Sequence, residues 1–369
     1  MKKVLIAVPN DRLGGAEQYL KMIGTYFANE EYLVDVLFLK RKNSLGWIDL
    51  EDLKNVQMHF TNASSEKRGL YIFLINVWKL RYNKYDFIFT SHVHLTGLLG
   101  ILCRFGILKK QYFVGRESTL IFDRFRGFKL LLFELHYLLG YPVLDLLICQ
   151  TDAMLNHFRK YLPRLSNKIH IEVISNPISL SYLYSNDVSP LLPLEHVRII
   201  VAAGRLIREK GFDVLIRAFQ GLLEEFPDCR LLIFGEGKER EPLLSLVSEL
   251  GVEHNVNLMG FNKNVLPYFQ VANLCVVSSL VEGFPNVLLQ MMSKNVNVVS
   301  TLCAGGIENI NGVFTAEPGD VIALKEAMKN CLLSDNCLNR RLFDDYLYVR
   351  RIENFIFQVK ISLHNSRKI

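Results

Sequence analysis

Residues 282–290 read Glu-Gly-Phe-Pro-Asn-Val-Leu-Leu-Gln, and they follow the apolar run Leu274–Val277. The run predicts a short buried strand, and the turn after it predicts the start of a helix, where Pro285 fits because it has no N–H to lose. This order places the carboxylate of Glu282 at the carboxyl end of a strand, where open α/β sheets bind ligands. The segment predicts a ligand site, although a helix cap with a solvated acid has the same local pattern.

The helix that begins near Pro285 would present backbone N–H groups and the positive end of its dipole. Both features suit an anion such as a diphosphate. A diphosphate would repel the carboxylate of Glu282. We therefore expect this side chain to accept hydrogen bonds from sugar hydroxyls.

The rest of the chain alternates strand-like and helix-like segments. The strands are continuous apolar runs, which is the pattern of parallel strands covered on both faces. In the first half the predicted strands are Val4–Val8, Val34–Leu39, Val56–Phe60, Phe87–Thr90, Tyr112–Val114, Leu146–Cys149 and Ile169–Ile174, with helices such as Ala16–Asn29 and Tyr71–Tyr82 between them. This alternation predicts a doubly wound α/β domain over residues 1–177.

Residues 178–196 lack periodicity and are rich in turn-forming residues, so they predict a linker. The alternation then restarts over residues 197–337. The predicted strands are Val197–Ala203, Arg230–Phe234, Val256–Met259, Leu274–Val277 and Val296–Ser300, and the predicted helices are Asp213–Glu225, Lys238–Leu250, Asn286–Ser293 and Val321–Leu332. The chain is thus predicted to form two Rossmann-like domains that face each other across a cleft.

Composition narrows the function classes. The net charge of +6 over 369 residues is too small to indicate nucleic-acid binding, but it fits an anionic ligand or an acidic membrane surface. The seven cysteines include no Cys-x-x-Cys pair, which favours a reducing cytoplasmic compartment. No stretch has about 18 uninterrupted apolar residues, so we expect no transmembrane helix.

Two cations follow the first strand of the second domain. Arg205 comes directly after Gly204, and Lys210 precedes the next helix. A guanidinium fork and an ammonium beside a helix N-terminus can clamp a diphosphate. A solvated basic loop is the alternative, and Gly235, after the next strand, indicates either a close approach to a ligand or a plain turn.

The first strand of the chain also leads into a glycine-rich turn. Gly14 and Gly15 precede a helix, where they could approach a phosphate or an acceptor. The turn lacks the Gly-x-Gly-x-x-Gly spacing of dinucleotide sites, which argues against a nicotinamide enzyme.

Taken in order, these segments resemble the retaining glycosyltransferases of family 4, the group 1 transferases with a GT-B fold. The resemblance spans most of the chain and rests on residues 14–17, Asp145, residues 173–177, 204–211, 234–237, 260–261 and 278–279, and the Glu282-Gly-Phe-Pro-Asn segment. It implies that the second domain binds a nucleotide-sugar donor and that Arg205 and Lys210 stabilise the leaving diphosphate. It also implies that residues 338–369 form a helical segment that returns to the first domain.

The resemblance implies a set of site residues. Glu282, Arg205 and Lys210 are the predicted catalytic residues. The predicted donor-binding residues are Gly15, Arg205, Lys210, Gly235, Glu282, Gly283, Phe284, Pro285, Asn286, Val287 and Gln290. No metal is expected, because the cations can balance the diphosphate and no Asp-x-Asp pair follows a strand.

One residue departs from the family pattern. Gln290 stands where the second glutamate of the Glu-x7-Glu motif would accept hydrogen bonds from the ribose. Glutamine can accept one bond and donate one, so we expect donor affinity to fall by about 1–2 kcal/mol rather than activity to vanish. An inactive, degenerate member of the family remains the alternative. Met291 and Met292 are expected to change the pocket wall.

The acceptor side is predicted from first-domain loops. His94 follows one predicted strand, and Arg116 and Glu117 follow another, so these three residues, with Gly14 and Gly15, are the acceptor-binding candidates. We interpret His92 as ordinary loop polarity. Residues 122–141 join basic and aromatic residues to an apolar helix, which is typical of a membrane surface, but a core helix with a basic start is the favoured interpretation.

The sequence thus predicts a retaining, metal-independent hexosyltransferase with no cofactor beyond its nucleotide-diphosphate sugar, with UDP favoured over GDP. The resemblance implies a lipid-linked or oligosaccharide acceptor in bacterial O-antigen, capsule or lipopolysaccharide synthesis. The predicted location is cytoplasmic, with a peripheral position at the inner face of the membrane as an option, and no nucleic-acid partner. The alternatives are a non-catalytic nucleotide-sugar-binding protein and an epimerase or phosphorylase on the same fold.

Overall fold

The computed structural model describes residues 1–12, 14–41, 45–61, 66–178 and 197–366. Its contacts divide the chain into two compact units. The first comprises residues 1–177 and 352–369, and the second comprises residues 178–351. Of the predicted linker 178–196, all but Ile178 lies outside the described residues.

The first unit contains a parallel sheet of seven described strands, in the order β3-β2-β1-β4-β5-β6-β7. Its strands are β1 (Lys3–Asn10), β2 (Leu33–Lys40), β3 (Val56–His59), β4 (Lys84–Thr90), β5 (Lys109–Arg116), β6 (Leu146–Cys149) and β7 (Ile171–Val173). The order reverses between β1 and β4, where Val4 pairs with Phe87. Such a switch point opens a crevice at the carboxyl ends of the two strands.

Helices cover both faces of this sheet. They are α1 (Gly15–Asn29), α2 (Ile48–Glu51), α3 (Glu66–Lys79), α4 (Val93–Arg104), α5 (Ile121–Arg124), α6 (Gly127–Gly140), α7 (Asp152–Tyr161) and α8 (Pro163–Ser166). Helix α1 shares one core with the even-numbered residues Val4, Ile6 and Val8 of β1. Helices α3, α4 and α7 share the opposite core with Leu5 and Ala7, because successive side chains of a strand point to opposite faces.

The second unit repeats this architecture with six described parallel strands, in the order β10-β9-β8-β11-β12-β13. They are β8 (Arg198–Ala203), β9 (Cys229–Phe234), β10 (Val256–Gly260), β11 (Leu274–Val277), β12 (Val298–Thr301) and β13 (Phe314–Ala316). The helices are α9 (Phe212–Leu223), α10 (Arg240–Glu249), α11 (Leu266–Val271), α12 (Asn286–Lys294), α13 (Val321–Leu333) and α14 (Asn339–Tyr348). Here the switch point lies between β8 and β11, which pair through Leu274 and Ile200.

These two sheets confirm the predicted α/β class with two Rossmann-like domains. Leu146–Cys149 and Leu274–Val277 were predicted with the bounds that the structure shows. The prediction missed β13, because its three residues, Phe-Thr-Ala, do not form an apolar run. No described helix combines the length and hydropathy that crossing a bilayer requires.

Residues 338–369 were expected to return to the first domain as one segment, but the structure divides them between the two units. Helix α14 lies in the second unit, where Phe343 and Leu347 are fully buried among its core residues. The last helix, α15 (Ile352–Asn365), lies in the first unit, where Phe355 and Ile356 share the core of α1. Phe355 meets Tyr19 edge to face with ring centroids 5.6 Å apart.

Helix α6 is not the core helix that residues 122–141 favoured. Of its residues only Tyr137 and Gly140 are buried. The helix lies on α4 rather than on the sheet, and glycines form the crossing. A Cβ on Gly100 would lie 2.1 Å from the carbonyl oxygen of Gly140, so the two backbones touch.

Candidate functional site

The candidate donor site lies at the switch point of the second sheet. The loop after β8 carries Arg205 and Lys210, and the loop after β11 carries Glu282. Because β8 and β11 are neighbours in the sheet, the chain brings these two loops together although 72 positions separate Lys210 from Glu282.

Lys210 and Glu282 form an ion pair. The Lys210 Nζ donates to Glu282 Oε1 at 2.6 Å, and each side chain is 17% exposed. Ser279 Oγ donates to the same Oε1 at 2.7 Å. Both bonds fall on one carboxylate oxygen, so Oε2 of Glu282 has no hydrogen-bond partner among the residues that the structure describes.

The loops around this pair are fixed by buried polar groups. Ser278 Oγ donates to the carbonyl of Lys210 at 2.9 Å, and Thr301 Oγ1 donates to the carbonyl of Ser279 at 2.6 Å. The Glu282 N–H donates to the carbonyl of Cys303 at 2.8 Å. The ion pair is therefore held in a defined place at the carboxyl edge of the sheet.

Two glycines allow this close approach. Gly211 has φ 59°, and a Cβ there would lie 2.2 Å from the carbonyl oxygen of Ser278. Gly235 has φ 145°, and its Cβ would lie 1.8 Å from the carbonyl oxygen of Gly204. A side chain at either position would push neighbouring loops apart, so Gly235 shapes the site through its backbone.

Arg205 differs from Lys210 in its surroundings. It is exposed, and its guanidinium has no hydrogen bond or ion pair with the described residues, although its backbone carbonyl accepts from the Ile207 N–H at 2.8 Å. In this site the charge of Lys210 is paired with a carboxylate, whereas the charge of Arg205 is available to bind an anion. A dianionic ligand would gain most from Arg205.

The helix that follows Glu282 begins at Asn286, as predicted, and ends one residue later than predicted, at Lys294. Pro285 is the N-cap of α12, with φ −78° and ψ 100°, and no described side chain caps the helix. Gly283 and Phe284 are half-buried, Asn286 and Val287 form the first turn, and Gln290 lies one turn further along, half-buried. Met291 and Met292 are fully buried in the core instead of lining a pocket wall.

The first-unit candidates lie at the carboxyl ends of β1, β4 and β5, three neighbouring strands of the first sheet. At the switch point of the first sheet, Gly14 is the N-cap of α1 and Gly15 its exposed first residue. His92 and His94, whose ring centroids are 6.0 Å apart, flank the start of α4. His92 Nε2 lies 3.1 Å from Glu17 Oε1, a pair that joins the N-cap of α4 to the first turn of α1.

His94 is neutral at pH 7. Its pKa is lowered to about 4, first because burial disfavours the charged ring and second because His92 and His136 lie nearby, although Glu17 opposes the shift. A neutral imidazole can accept a proton or donate one hydrogen bond, so His94 keeps the chemistry that an acceptor hydroxyl would need.

Arg116 and Glu117 lie at the end of β5, and both are only 3% exposed. Arg116 donates to Ser91 Oγ at 2.9 Å and to Asn176, and its guanidinium lies 4.2 Å from the ring centroid of Tyr19. Burial lowers the pKa of Arg116 to about 10. This arginine is thus part of an internal network.

Glu117 is held by two phenols. Tyr137 and Tyr141 donate to its carboxylate at 3.0 and 2.9 Å. Burial nevertheless raises its pKa to about 7, with the two phenols and Arg116 acting in the opposite direction. Glu117 also lines a small pocket with Thr119, Phe122 and His157. The carboxyl group can therefore change protonation near neutral pH inside the first unit.

Several supporting residues were not predicted. Ser279 and Thr301 hold the Lys210–Glu282 pair and its loop in place, and Glu17 pairs with His92. Ser279 and Glu17 lie in segments that carry the family resemblance, but no role was predicted for either of them. Thr301 carries no local signal, because its partner lies 22 positions away. In the described part of the chain, no group of three or more His, Cys, Asp or Glu side chains could hold a metal ion.

Comparison with known proteins points to one family and one fold. Residues 197–334 match the family described as "Glycosyl transferases group 1". HepE from Anabaena, solved in complex with UDP-glucose, is 17% identical, with a TM-score of 0.79 over 99% of this chain and 100% of that one. This likeness confirms the GT-B fold.

Sequence relatives include a lipopolysaccharide core biosynthesis glycosyltransferase, LpsE of Rhizobium meliloti, 28% identical over 54% of this chain and 56% of LpsE. Another is the N-acetylgalactosamine-N,N'-diacetylbacillosaminyl-diphospho-undecaprenol 4-alpha-N-acetylgalactosaminyltransferase of Campylobacter jejuni, 23% identical over 85% of this chain and 84% of the relative. The chain spans only 44%, 32% and 56% of the length of three of the curated relatives that it matches.

Proposed function

We propose that this chain, whose residues 197–334 match the group 1 glycosyl transferases, moves a hexosyl unit from a nucleotide-diphosphate sugar to a glycan hydroxyl with retention of anomeric configuration. The observation that carries the proposal is the Lys210–Glu282 pair at the sheet's switch point, beside the available guanidinium of Arg205. This arrangement offers positive charge and an open carboxylate oxygen within one small region.

The donor diphosphate would lie against Arg205 and the start of α12. The guanidinium can bind two phosphate oxygens in parallel, and the helix dipole adds a partial positive charge. Lys210 would contact the same diphosphate while it stays paired with Glu282. The donor sugar would therefore lie close to the Glu282 carboxylate. Oε2 of Glu282 would then accept a hydrogen bond from a sugar hydroxyl.

In the proposed reaction, the bond between the anomeric carbon and the phosphate oxygen breaks, and a bond to the acceptor oxygen forms on the same face. The departing phosphate takes the acceptor's proton. Arg205 and Lys210 stabilise the charge that develops on the leaving diphosphate, a role worth on the order of 3 kcal/mol for one well-placed donor. We propose a metal-independent reaction, because these two cations supply that charge.

For the donor and acceptor, the relatives guide the proposal. A UDP sugar is favoured over a GDP sugar, since HepE was solved with UDP-glucose. A lipid-linked glycan is the proposed acceptor, since the Campylobacter relative is named for a diphospho-undecaprenol substrate. Envelope polysaccharide synthesis in the cytoplasm, at the inner face of the membrane, follows from both choices. Gly14, Gly15, His94, Arg116 and Glu117 remain the proposed acceptor-side residues.

Nucleotide binding tests the donor site directly. We expect UDP, in a screen with GDP, ADP and CMP, to raise the melting temperature, and the Arg205→Ala variant to lose that shift. The matched control is Arg217→Ala, which removes an exposed arginine from α9 in the same unit. If the Arg205 variant responds to UDP as strongly as the Arg217 variant does, the proposed diphosphate contact is wrong.

Retention and turnover need a second assay. With an α-linked UDP sugar and a lipid-linked acceptor, the product examined by nuclear magnetic resonance should carry an α linkage. A β-linked product would overturn the proposed stereochemistry.

A non-catalytic nucleotide-sugar-binding protein is the second candidate, and Gln290 is the residue that favours it. Donor binding without transfer to any acceptor would support this alternative. Gln290→Glu should then raise donor affinity by about tenfold, the value of one stronger hydrogen bond.

A further inference from the structure

The outer side of α6 is an unusually apolar surface. Six of its large apolar side chains are between 42% and 75% exposed: Phe128, Leu131, Leu132, Leu135, Leu138 and Leu139. Within this helix only Lys129 and Glu134 bring exposed charge to that side. A contiguous apolar face of this kind on a soluble unit marks an interaction site.

These side chains contribute little to the fold of their own unit. Helix α6 is fixed from its inner side, where its backbone touches α4 at Gly100 and Gly140 and where Tyr137 is buried. The apolar residues that point outward are not needed for that packing. The packing of this unit therefore does not explain why the six exposed side chains are apolar.

Helix α3 exposes apolar and aromatic side chains as well. It packs against the same face of the sheet as α4, the helix that carries α6, because both contribute to one core. Tyr71 and Trp78 on α3 and Tyr82 just beyond it are 66%, 55% and 77% exposed. The Arg81 guanidinium lies 4.6 Å from the ring centroid of Trp78 and 4.0 Å from that of Tyr82. Trp, Tyr and Arg together are typical of the boundary between water and lipid.

Positive charge is concentrated in the same part of the chain. From Glu66 to Gly140 there are twelve Lys or Arg residues against five Asp or Glu, a net charge of +7. The whole chain carries +6, so the remainder is slightly negative. Arg124, Arg126 and Lys129 are exposed at the beginning of α6, next to its apolar face.

We propose that the outer face of α6, together with the exposed aromatic end of α3, docks on an anionic lipid bilayer. The apolar side chains would enter the boundary between headgroups and acyl chains, and the cations would contact lipid phosphates. This inference rests on the proposed function, which places the reaction at the inner face of the membrane, and deepens it by assigning the surface that docks. The assignment uses the first unit alone, and its test needs no nucleotide.

The charge argues for lipid over a second copy of the chain. A symmetric dimer through this face would bring two segments of net charge +7 together, and like charges across an interface oppose association. An anionic bilayer offers the opposite charge and an apolar layer at once.

The docking face is linked to a candidate acceptor residue. Tyr137 lies on the inner side of α6 and donates a hydrogen bond to Glu117 at 3.0 Å. A lipid bound on the outer side of this helix would thus lie one helix thickness from the pocket that Glu117 lines. That geometry suits an acceptor whose glycan is carried on a lipid.

Flotation with vesicles tests the proposal on the full chain, without nucleotide. We expect binding to vesicles that contain phosphatidylglycerol and little binding to phosphatidylcholine alone. The double variant Leu135→Glu/Leu138→Glu should lose at least about tenfold in partitioning, since it places two carboxylates in the apolar face. Lys129→Glu alone should weaken binding to anionic vesicles by about fivefold or more.

The matched control is Ile322→Glu, which changes a 73% exposed apolar residue of α13 in the second unit and should bind vesicles normally. Thermal unfolding must be unchanged in each variant, as the substituted side chains are exposed. Failure of the protein to bind either vesicle, or binding that the α6 variants retain, would overturn the proposal. So would a dimer in solution that the double variant dissociates without any vesicle binding. UDP binding that persists in the double variant separates this result from the donor site.

Discussion

Lys210 and Glu282 show what individual residues contribute. The sequence predicted both as site residues, but with different ligands: the lysine for the diphosphate and the glutamate for the sugar. The structure pairs them with each other at 2.6 Å. The pairing was not predictable, because it depends on β8 and β11 being neighbours in the sheet, and strand order is not written in local sequence.

The pair can be tested by a double-mutant cycle. Lys210→Ala and Glu282→Gln should each lower kcat/KM for the donor by on the order of 100-fold, and the double variant should lose little more, because each change removes the same contact. Lys238→Ala is the control, since that side chain is 73% exposed. Additive losses would mean that the two residues act independently.

Glu117 gives a prediction about pH. Its folded-state pKa of about 7 exceeds the ordinary 4.5, so the folded protein holds a proton that the unfolded chain has released over that window. The stabilisation is complete below pH 4.5 and is lost as the pH rises through 7, on the order of 3 kcal/mol in all. Urea unfolding should show the wild type losing stability relative to Glu117→Gln across this range.

His94 provides the internal comparison. Its folded-state pKa of about 4 lies below the ordinary 6.5, so its contribution is present above pH 6.5 and lost as the pH falls through 4. The difference between wild type and His94→Gln should therefore run in the opposite direction. A Glu117 difference that stays flat from pH 4.5 to 7 would contradict the buried, protonated carboxyl.

At the scale of elements, α4 and α6 depend on a glycine crossing. Gly100→Ala would place a methyl group 2.1 Å from the Gly140 carbonyl oxygen, so the helices must separate, at a cost on the order of 3 kcal/mol. Gly221→Ala in α9 is the control, because its nearest neighbour is the side chain of Lys325 at 3.3 Å. That variant should be neutral or more stable by about 0.5–1 kcal/mol in chemical denaturation.

Helices α4 and α6 also show what an apolar pattern in the sequence cannot predict. Apolar runs predicted most strands within a few residues, since a buried parallel strand is apolar along its length. The run in α6 is equally apolar, yet it faces outward. A sequence pattern shows how apolar a helix is, but not which element covers it. The pattern also gave no sign that Gly97, Gly100 and Gly140 lie where the two helices cross.

At the scale of the whole molecule, the chain leaves the first unit at Pro177 and re-enters it at Ile352. The returning helix α15 supplies Phe355, Ile356, Val359 and Leu363 to the core of α1. Phe355→Ala should therefore cost about 3–5 kcal/mol in the unfolding of the first unit. Phe357→Ala, two residues along and 64% exposed, should change little.

Calorimetry would follow both variants, and equal melting temperatures would contradict the placement of α15. The family resemblance predicted that the chain returns to the first domain. It could not place the crossing point between Tyr348 and Ile352, because α14 and α15 are both helical and both amphipathic. The two helices differ in the core that each one joins: Phe343 of α14 packs in the second unit, and Phe355 of α15 packs in the first.

The return of α15 also has a consequence for synthesis on the ribosome. The core of the first unit stays open until residues 178–351 have been translated, on the order of ten seconds or more at about 5–20 residues per second. During that time the side of α1 that carries Tyr19 lacks the helix that covers it. Messages truncated near their 3′ end would therefore yield a product with an intact second unit and an aggregation-prone first unit.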